Sequence, residues 1–420
     1  MKRIEMKNRI ITLLIISLPM MVSAQILRPI SYREYISRVS NDNIAYASEK
    51  LNVPIAEAEV RAARVFHDPS VAVEYSDNQD HTKRMGKGWS VELSRTFTFG
   101  TRRAGIRLAK SEKEVSEALL ENFFNDLRAQ STEAYFEAVK QTQIYKVKEN
   151  SYKSISELAD GDSIRFSLGK ITEVDAMQSR VEEGMIHNEL LEAKNALLES
   201  YIALSLQMGT FSKDTIYVPE DDFQFPSCEF SQDKLIDMAL ERRSDLKASL
   251  KNIDVAKRAL SLVRREKGME FDLAVGYSYN SEVRNEIAPA PKFNGITVGI
   301  TVPLKFSSLN KGSIQSAKFK AQQAEQQYRQ AQIEIMGEVT KCYQNYLSSV
   351  KQIDKFKTGI LNKSKDVMDG KKYSYSRGET SLLEVLEAQR NYNDVRTLYI
   401  ESMFNKAISL VELEKSVAGF

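Results

Sequence analysis

Cysteine, histidine and proline are scarce in this 420-residue chain, which has two, three and nine of them. Cys228 and Cys342 cannot build a disulfide scaffold. His67, His81 and His187 are too scattered to form a histidine metal cluster. Neither sign of charge dominates: 59 Lys+Arg face 57 Asp+Glu, so the basic excess of a general nucleic-acid binder is absent. No apolar run after the leader is long enough for a transmembrane helix. G-x-S-x-G, Walker A, H-E-x-x-H, C-x-x-C and Gly-rich dinucleotide signatures are also missing, so no enzymatic chemistry and no cofactor are expected. What remains, 28% charged residues with only 18 glycines, is the composition of long helices rather than compact modules.

The N-terminus carries an export pattern. Lys2, Arg3, Lys7 and Arg9 form a basic region, Ile10 to Leu18 a short apolar one, and Val22-Ser23-Ala24 a small-residue cleavage site, which makes residues 1–24 a signal peptide and Gln25 the mature start. The apolar stretch is far short of the ~20 residues needed to span a bilayer. An exported chain without a membrane helix is secreted, periplasmic, or held in an outer membrane by β-strands.

The rest of the chain repeats itself. Val71, Val73 and Tyr75 correspond to Leu273, Val275 and Tyr277, Val91-Glu92-Leu93 to Val298-Gly299-Ile300, Leu168-Gly169 to Arg377-Gly378, and Asp175 to Glu384. A period near 200 residues marks a duplicated half-molecule rather than a solenoid. It divides the mature chain into a first repeat (25–210), a connector (211–242) and a second repeat (243–420), each repeat reading helix, two strands, two long helices.

The strands rest on period-two alternation. Val71, Val73 and Tyr75 alternate with Ala72, Glu74 and Ser76; Trp89, Val91 and Leu93 with Ser90, Glu92 and Ser94. In the second repeat the apolar set is Phe271, Leu273, Val275, Tyr277 and Tyr279, then Ile296, Val298, Ile300, Val302 and Leu304. Two hairpins on a soluble core would show the same pattern. The helices weigh against that: from about 103 to 159 a stripe holds Leu108, Val115, Leu119, Phe123 and Leu127. From about 312 to 367, Val339, Tyr343, Tyr346, Val350 and Ile353 form a heptad seam. Each rod is expected to turn back near Asp160-Gly161-Asp162 or Asp369-Gly370 and return through 171–208 or 381–417.

The expected fold class is therefore mainly α with a small β-part: long antiparallel coiled-coil hairpins plus four transmembrane strands. Four strands cannot span alone, because an open sheet leaves edge N–H and C=O groups unpaired in hydrocarbon. Three copies would close a twelve-stranded barrel. Val71, Val73, Tyr75, Trp89, Val91, Leu93, Leu273, Val275, Tyr277, Ile296, Val298 and Ile300 would face lipid, with Tyr75, Trp89, Tyr277 and Tyr279 as interface aromatics.

Two segments carry a family resemblance. One is the strand-to-helix junction Leu93-Ser94-Arg95-Thr96-Phe97-Thr98-Phe99-Gly100-Thr101-Arg102-Arg103, paired with Ile300-Thr301-Val302-Pro303-Leu304-Lys305-Phe306. The other is Gly378-Glu379-Thr380-Ser381-Leu382-Leu383-Glu384-Val385-Leu386-Glu387-Ala388-Gln389-Arg390, with its twin Gly169 to Asp175. With the duplicated layout, they resemble the TolC-type outer-membrane factors, exit ducts of efflux pumps and type I secretion. Phe99 to Arg103 looks somewhat like the heavy-metal-efflux branch, though one short motif does not fix a substrate.

The resemblance implies a homotrimer in outer-membrane lipid with a long periplasmic α-barrel. It also implies a periplasmic adaptor and an inner-membrane pump, of the resistance-nodulation-division type or another, as partners. It makes Asp175, Tyr375, Glu384 and Glu387 pore-gate candidates: Asp175 and Tyr375 at tip contacts, the two glutamates projecting into the pore. Thr380 stands where a basic partner can occur. An exposed glutamate on a helix is more ordinarily a solvated face, and that reading stays open beside the pore one. A structural coiled-coil protein of the envelope, with the strands as a soluble cap, is the alternative from another class. His67 and His81 are the one conceivable metal pair, and Cys342 reads as a small buried apolar residue.

Overall fold

Alternating segments become strand and the long Pro-free segments become helix. The computed structural model describes residues 26–78, 85–210, 215–223, 230–268, 270–304 and 310–419. The signal peptide, His81, Cys228 and Lys305-Phe306 lie outside the described residues. In chain order the elements are β1 (Ile26–Ile30), α1 (Tyr32–Asp42), α2 (Ile44–Lys50), α3 (Asn52–Ala62), β2 (Ser70–Asp77), β3 (Lys87–Thr98), α4 (Thr101–Ser167), α5 (Glu173–Gln207) and β4 (Thr215–Pro219). There follow α6 (Gln232–Arg242), α7 (Ser244–Arg265), β5 (Glu270–Asn280), β6 (Phe293–Thr301), α8 (Asn310–Lys355), a π-helical turn (Phe356–Ile360), α9 (Leu361–Ser376) and α10 (Leu382–Ser416). Among the described residues no helix is long and apolar enough to cross a membrane.

The chain forms two compact units: one comprises the chain up to Ile44, Arg128–Ser227 and Tyr346–Val411, the other Ala45–Leu127, Cys228–Asn345 and Glu412–Phe420. The second unit holds an antiparallel sheet in the order β2-β3-β5-β6. Residues directly opposite in such a ladder share a face. Val71, Val73 and Tyr75 lie opposite Leu93, Val91 and Trp89. Leu93 and Val91 in turn meet Val275 and Tyr277, and Arg95 meets Leu273. Leu273, Val275 and Tyr277 then meet Ile300, Val298 and Ile296. All the strand residues expected to face lipid thus fall on one face of one sheet. That face is bare: Val73 is 73% exposed and Ile296 79%. The other face carries Ser90, Glu92, Gly276, Ser278, Thr297 and Gly299. Val302 and Leu304 follow the end of β6 and are not part of it, since Pro303 between them has no N–H to give a ladder.

Two short strands escaped the periodicity, being too brief to show any. β1 and β4 pair in parallel in the first unit. Their junction is fixed by Asp221, whose carboxylate accepts from the Tyr32 amide at 2.6 Å and the Tyr135 hydroxyl at 2.9 Å. Tyr135 is fully buried there.

The helices differ from expectation in detail. The buried seam of α8 is Val339, Cys342 and, continuing to its C-terminus, Tyr346, Ser349 and Ile353; Tyr343 and Val350 flank it, only partly covered. Small Cys and Ser side chains allow close helix approach, and hydropathy alone passes over them. In α4, Val115 and Leu127 are buried, whereas Leu119 is 46% exposed. The second long rod is not continuous: it is interrupted at Phe356–Ile360, where Gly359 adopts φ 114°, a region that favours glycine.

Candidate functional site

The turns between the long helices lie beyond both expected positions. Gly161 and Gly370 sit inside α4 and α9, which continue to Ser167 and Ser376. The helices stop where Gly169 and Gly378 take φ +68° and +79°. At both ends the next amide reaches back five residues, Lys170 to the Arg165 carbonyl at 2.9 Å and Glu379 to the Ser374 carbonyl at 3.0 Å. This is a Schellman stop, which satisfies carbonyls the helix leaves open. The returning helices start alike. Thr172 accepts from the Asp175 amide at 3.1 Å while Asp175 receives the Thr172 hydroxyl at 2.7 Å, a capping box opening α5. Ser381 and Glu384 stand in the same relation at the start of α10, at 3.3–3.4 Å. Asp175 and Glu384 are therefore both capping residues, each three positions past its N-cap.

Behind the turns, in the first unit, an apolar cluster joins the two hairpins: Ile155, Ile186, Tyr375, Leu382, Val385 and Leu386. Each fully buried aliphatic chain contributes roughly 1.5–3 kcal/mol. Polar contacts ring it. The Tyr375 hydroxyl donates to Asp162 at 2.9 Å, and Asp162 is fully buried. Burial, and then the neighbouring Asp162 carboxylate, push the Tyr375 hydroxyl up to about 12. Arg165 lies 4.9 Å from the Tyr375 ring centroid and 3.6 Å from the Asp162 carboxylate, and donates to the Ser376 carbonyl at 3.0 Å.

Further along, Arg390 of α10 grips Glu182 of α5 through both carboxylate oxygens at 2.6 Å, and Glu182 is almost wholly buried. Arg180 bridges Asp160 at 2.6 Å and Glu183 at 2.8 Å. Hydrogen bonds from Ser156 and then Arg180 hold the Glu183 carboxyl below the usual range. Lys372 hydrogen-bonds Ser154, and burial lowers its ammonium from the usual lysine value.

The four gate candidates all lie close in sequence to the two hairpin turns, with different surroundings. Tyr375 is buried. Asp175 is engaged in its cap. Glu384 forms an ion pair with Lys371, which holds its carboxyl below the usual range. Glu387 is exposed, on the helix face that carries Leu383 and Arg390. Asp162, Arg165, Glu182 and Lys371 were not singled out in the sequence. Asp162 stands in a segment whose sequence reads as a turn, and its spacing of three from Arg165 on one helix is the signal available there. Among the described residues no group of His, Cys, Asp and Glu could hold a metal ion. His67 is exposed; Cys342 is buried and free, and burial raises its thiol from the usual value.

Residues 235–419 match the family model described as Outer membrane efflux protein. This stretch is similar to an outer membrane efflux protein domain. The chain is similar to the cobalt-zinc-cadmium resistance protein CzcC of Cupriavidus metallidurans, 23% identical over 86% of this chain and 83% of the relative. Its fold is that of the Campylobacter jejuni outer membrane channel CmeC, at TM-score 0.77 and 17% identity over 92% of this chain and 85% of that one. It is also that of the Neisseria gonorrhoeae outer membrane channel MtrE, solved in its open state, at TM-score 0.74 and 16% identity over 92% and 88%. The family resemblance read from the motifs is to these TolC-type channels. They are not enzymes, and the efflux family belongs to the outer membrane.

Proposed function

We propose that three copies of this chain close a barrel in the outer membrane and serve as the passive exit duct of a tripartite efflux pump. The observation that carries the proposal is the sheet: one face of four strands is apolar and bare, the other is polar and built of small residues, and the outer edges of β2 and β6 have no partner among the described residues. Such edges are not tolerated in hydrocarbon. Pairing β2 of one copy with β6 of the next removes every edge. Three copies of the four-stranded sheet give twelve strands, within the range of outer-membrane barrels. A soluble cap on an envelope coiled coil has no use for a bare apolar face of this extent.

In this account the helical hairpins lie on the periplasmic side and their tips meet a periplasmic adaptor and an inner-membrane pump. The duplicated halves supply two strands and one hairpin each. The Tyr375–Asp162 bond, the apolar cluster and the Glu182–Arg390 pair hold the hairpins together in the resting duct. Glu387, exposed and free of any ion pair among the described residues, contributes one carboxylate per copy to a narrow ring that favours cations; Glu384 is offset by Lys371. Likeness to CzcC and the Phe99 to Arg103 motif support divalent metal cations as cargo.

Reconstitution in planar bilayers tests the proposal. The purified chain is expected to insert and give stable conductance steps. A protein that stays water-soluble without detergent and gives no conductance would sink the duct reading.

A further inference from the structure

We infer that the cleft at the helix-side end of the sheet binds the phosphate of a phospholipid headgroup, an assignment that rests on the outer-membrane reading above. Arg95 lies opposite Leu273 in the β3–β5 ladder and so shares the apolar face. Its guanidinium sits 5.4 Å from the centroid of Phe66 and 5.5 Å from that of Phe97. Arg102, in the first turn of α4, lies over the same Phe66 ring at 4.0 Å. These groups line a cleft of about 600 Å³ together with His67, and no Asp or Glu lines it among the described residues.

The two cations differ in how they are held. Arg102 is anchored, donating to the Arg64 carbonyl at 2.8 Å. Arg95 has no hydrogen bond or ion pair with any described residue, so its fork of donors is open. Two guanidiniums packed on the Phe66 ring, in a cleft whose described lining holds no carboxylate, favour an anion in that cleft.

Position selects the anion. Trp89 packs against Tyr277 at 5.6 Å at one end of the apolar face, and Phe97 stacks on Phe271 at 5.2 Å at the other. The eight residue steps of β3 from Trp89 to Phe97 span about 27 Å of strand before tilt, on the scale of the ~25 Å apolar band between the aromatic girdles of such barrels. Arg95 thus stands at headgroup depth, in the leaflet on the helix side. Acyl chains would cover Phe97 and Leu273 while the phosphate lies between Arg95 and Arg102.

The test uses the full chain in mild detergent, incubated with phosphatidylglycerol, with bound lipid counted by native mass spectrometry. Wild type is expected to retain the lipid, and Arg95→Gln to lower retention about fivefold, the worth of one cation near an anionic surface. Arg95→Lys should restore most of it. Equal retention by wild type and Arg95→Gln would overturn the site. Displacement of the lipid by millimolar inorganic phosphate would overturn a lipid as the occupant. Planar-bilayer conductance is recorded on the same samples: Arg95→Gln should conduct as wild type does, so that lost retention is not lost folding. A wild type that never inserts would overturn the outer-membrane reading together with the site.

Discussion

The Tyr375 hydroxyl donates to the Asp162 carboxylate at 2.9 Å, across 213 residues of sequence, with both side chains buried. It joins α9 of one hairpin to α4 of the other inside a single compact unit. The second oxygen of Asp162 has no partner among the described residues, which makes the Tyr375 bond and Arg165 its main compensation.

Tyr375→Phe removes the donor and leaves a buried carboxylate less satisfied. The cost expected is about 1–3 kcal/mol of tip stability, read as faster hydrogen exchange at 155–165 and 370–386 and as larger conductance. Unchanged exchange would mean that the bond is not holding the hairpins together.

The same tyrosine gives a pH window. Its hydroxyl is raised from 10.0 to about 12 by burial and then by Asp162. A raised value means that the native state keeps the proton longer than the unfolded state. The stability from this group is therefore fully present below about pH 10 and is lost as pH rises from 10 through 12. Absorbance titration of tyrosinate should lose one late-titrating group in Tyr375→Phe.

Arg390→Ala strands Glu182, whose side chain is only 9% exposed although that of Arg390 is 56% exposed. Breaking a buried pair costs about 3–5 kcal/mol; with one partner in solvent about 1–3 kcal/mol is expected here. Arg390→Lys should recover only part, because an ammonium cannot reproduce the two-pronged grip. Urea unfolding monitored at the hairpins reads both.

Cation block separates the two glutamates. Glu387→Gln should weaken block by multivalent cations clearly, and Glu384→Gln less, since Lys371 already offsets that charge. Lys371→Met should free Glu384 and strengthen block. The Glu384 carboxyl is lowered by the hydrogen bond from Lys371 and its charge, so the pair persists above the usual carboxylate range and is lost as pH falls through the lowered value.

The strand faces give a paired control. Val73→Arg puts a cation on the bare apolar face and should cost insertion about 2–4 kcal/mol if it reaches mid-bilayer. Ser90→Arg, on the opposite face, should insert normally and alter conductance. Equal insertion of the two would mean that the faces are assigned the wrong way round.

The sheet was legible because its residues alternate strictly, so Val71, Val91, Tyr277 and Val298 announce their shared face without any contact being known. The turns were misread because Asp160-Gly161 and Asp369-Gly370 look like breakers, yet a single glycine costs a helix of this length only ~1 kcal/mol, and tertiary packing outweighs it. The repeat itself held the better signal: Leu168-Gly169 and Arg377-Gly378 coincide, and those are the glycines that need positive φ. Glu384 was legible as a tip residue, its Lys371 partner was not. That pairing depends on how two antiparallel helices align, which spacing along one helix does not express. Glu182 stayed hidden because a buried carboxylate carries no sequence mark distinguishing it from a solvated one, and Asp162 is marked only by its spacing of three from Arg165.

The proposed barrel closes when three copies of this chain pair β2 with β6. Native mass spectrometry of the detergent-solubilised particle tests it most directly. Three chains per particle, with monomer absent until denaturation, is the predicted result; a stable monomer or dimer that still conducts would contradict it.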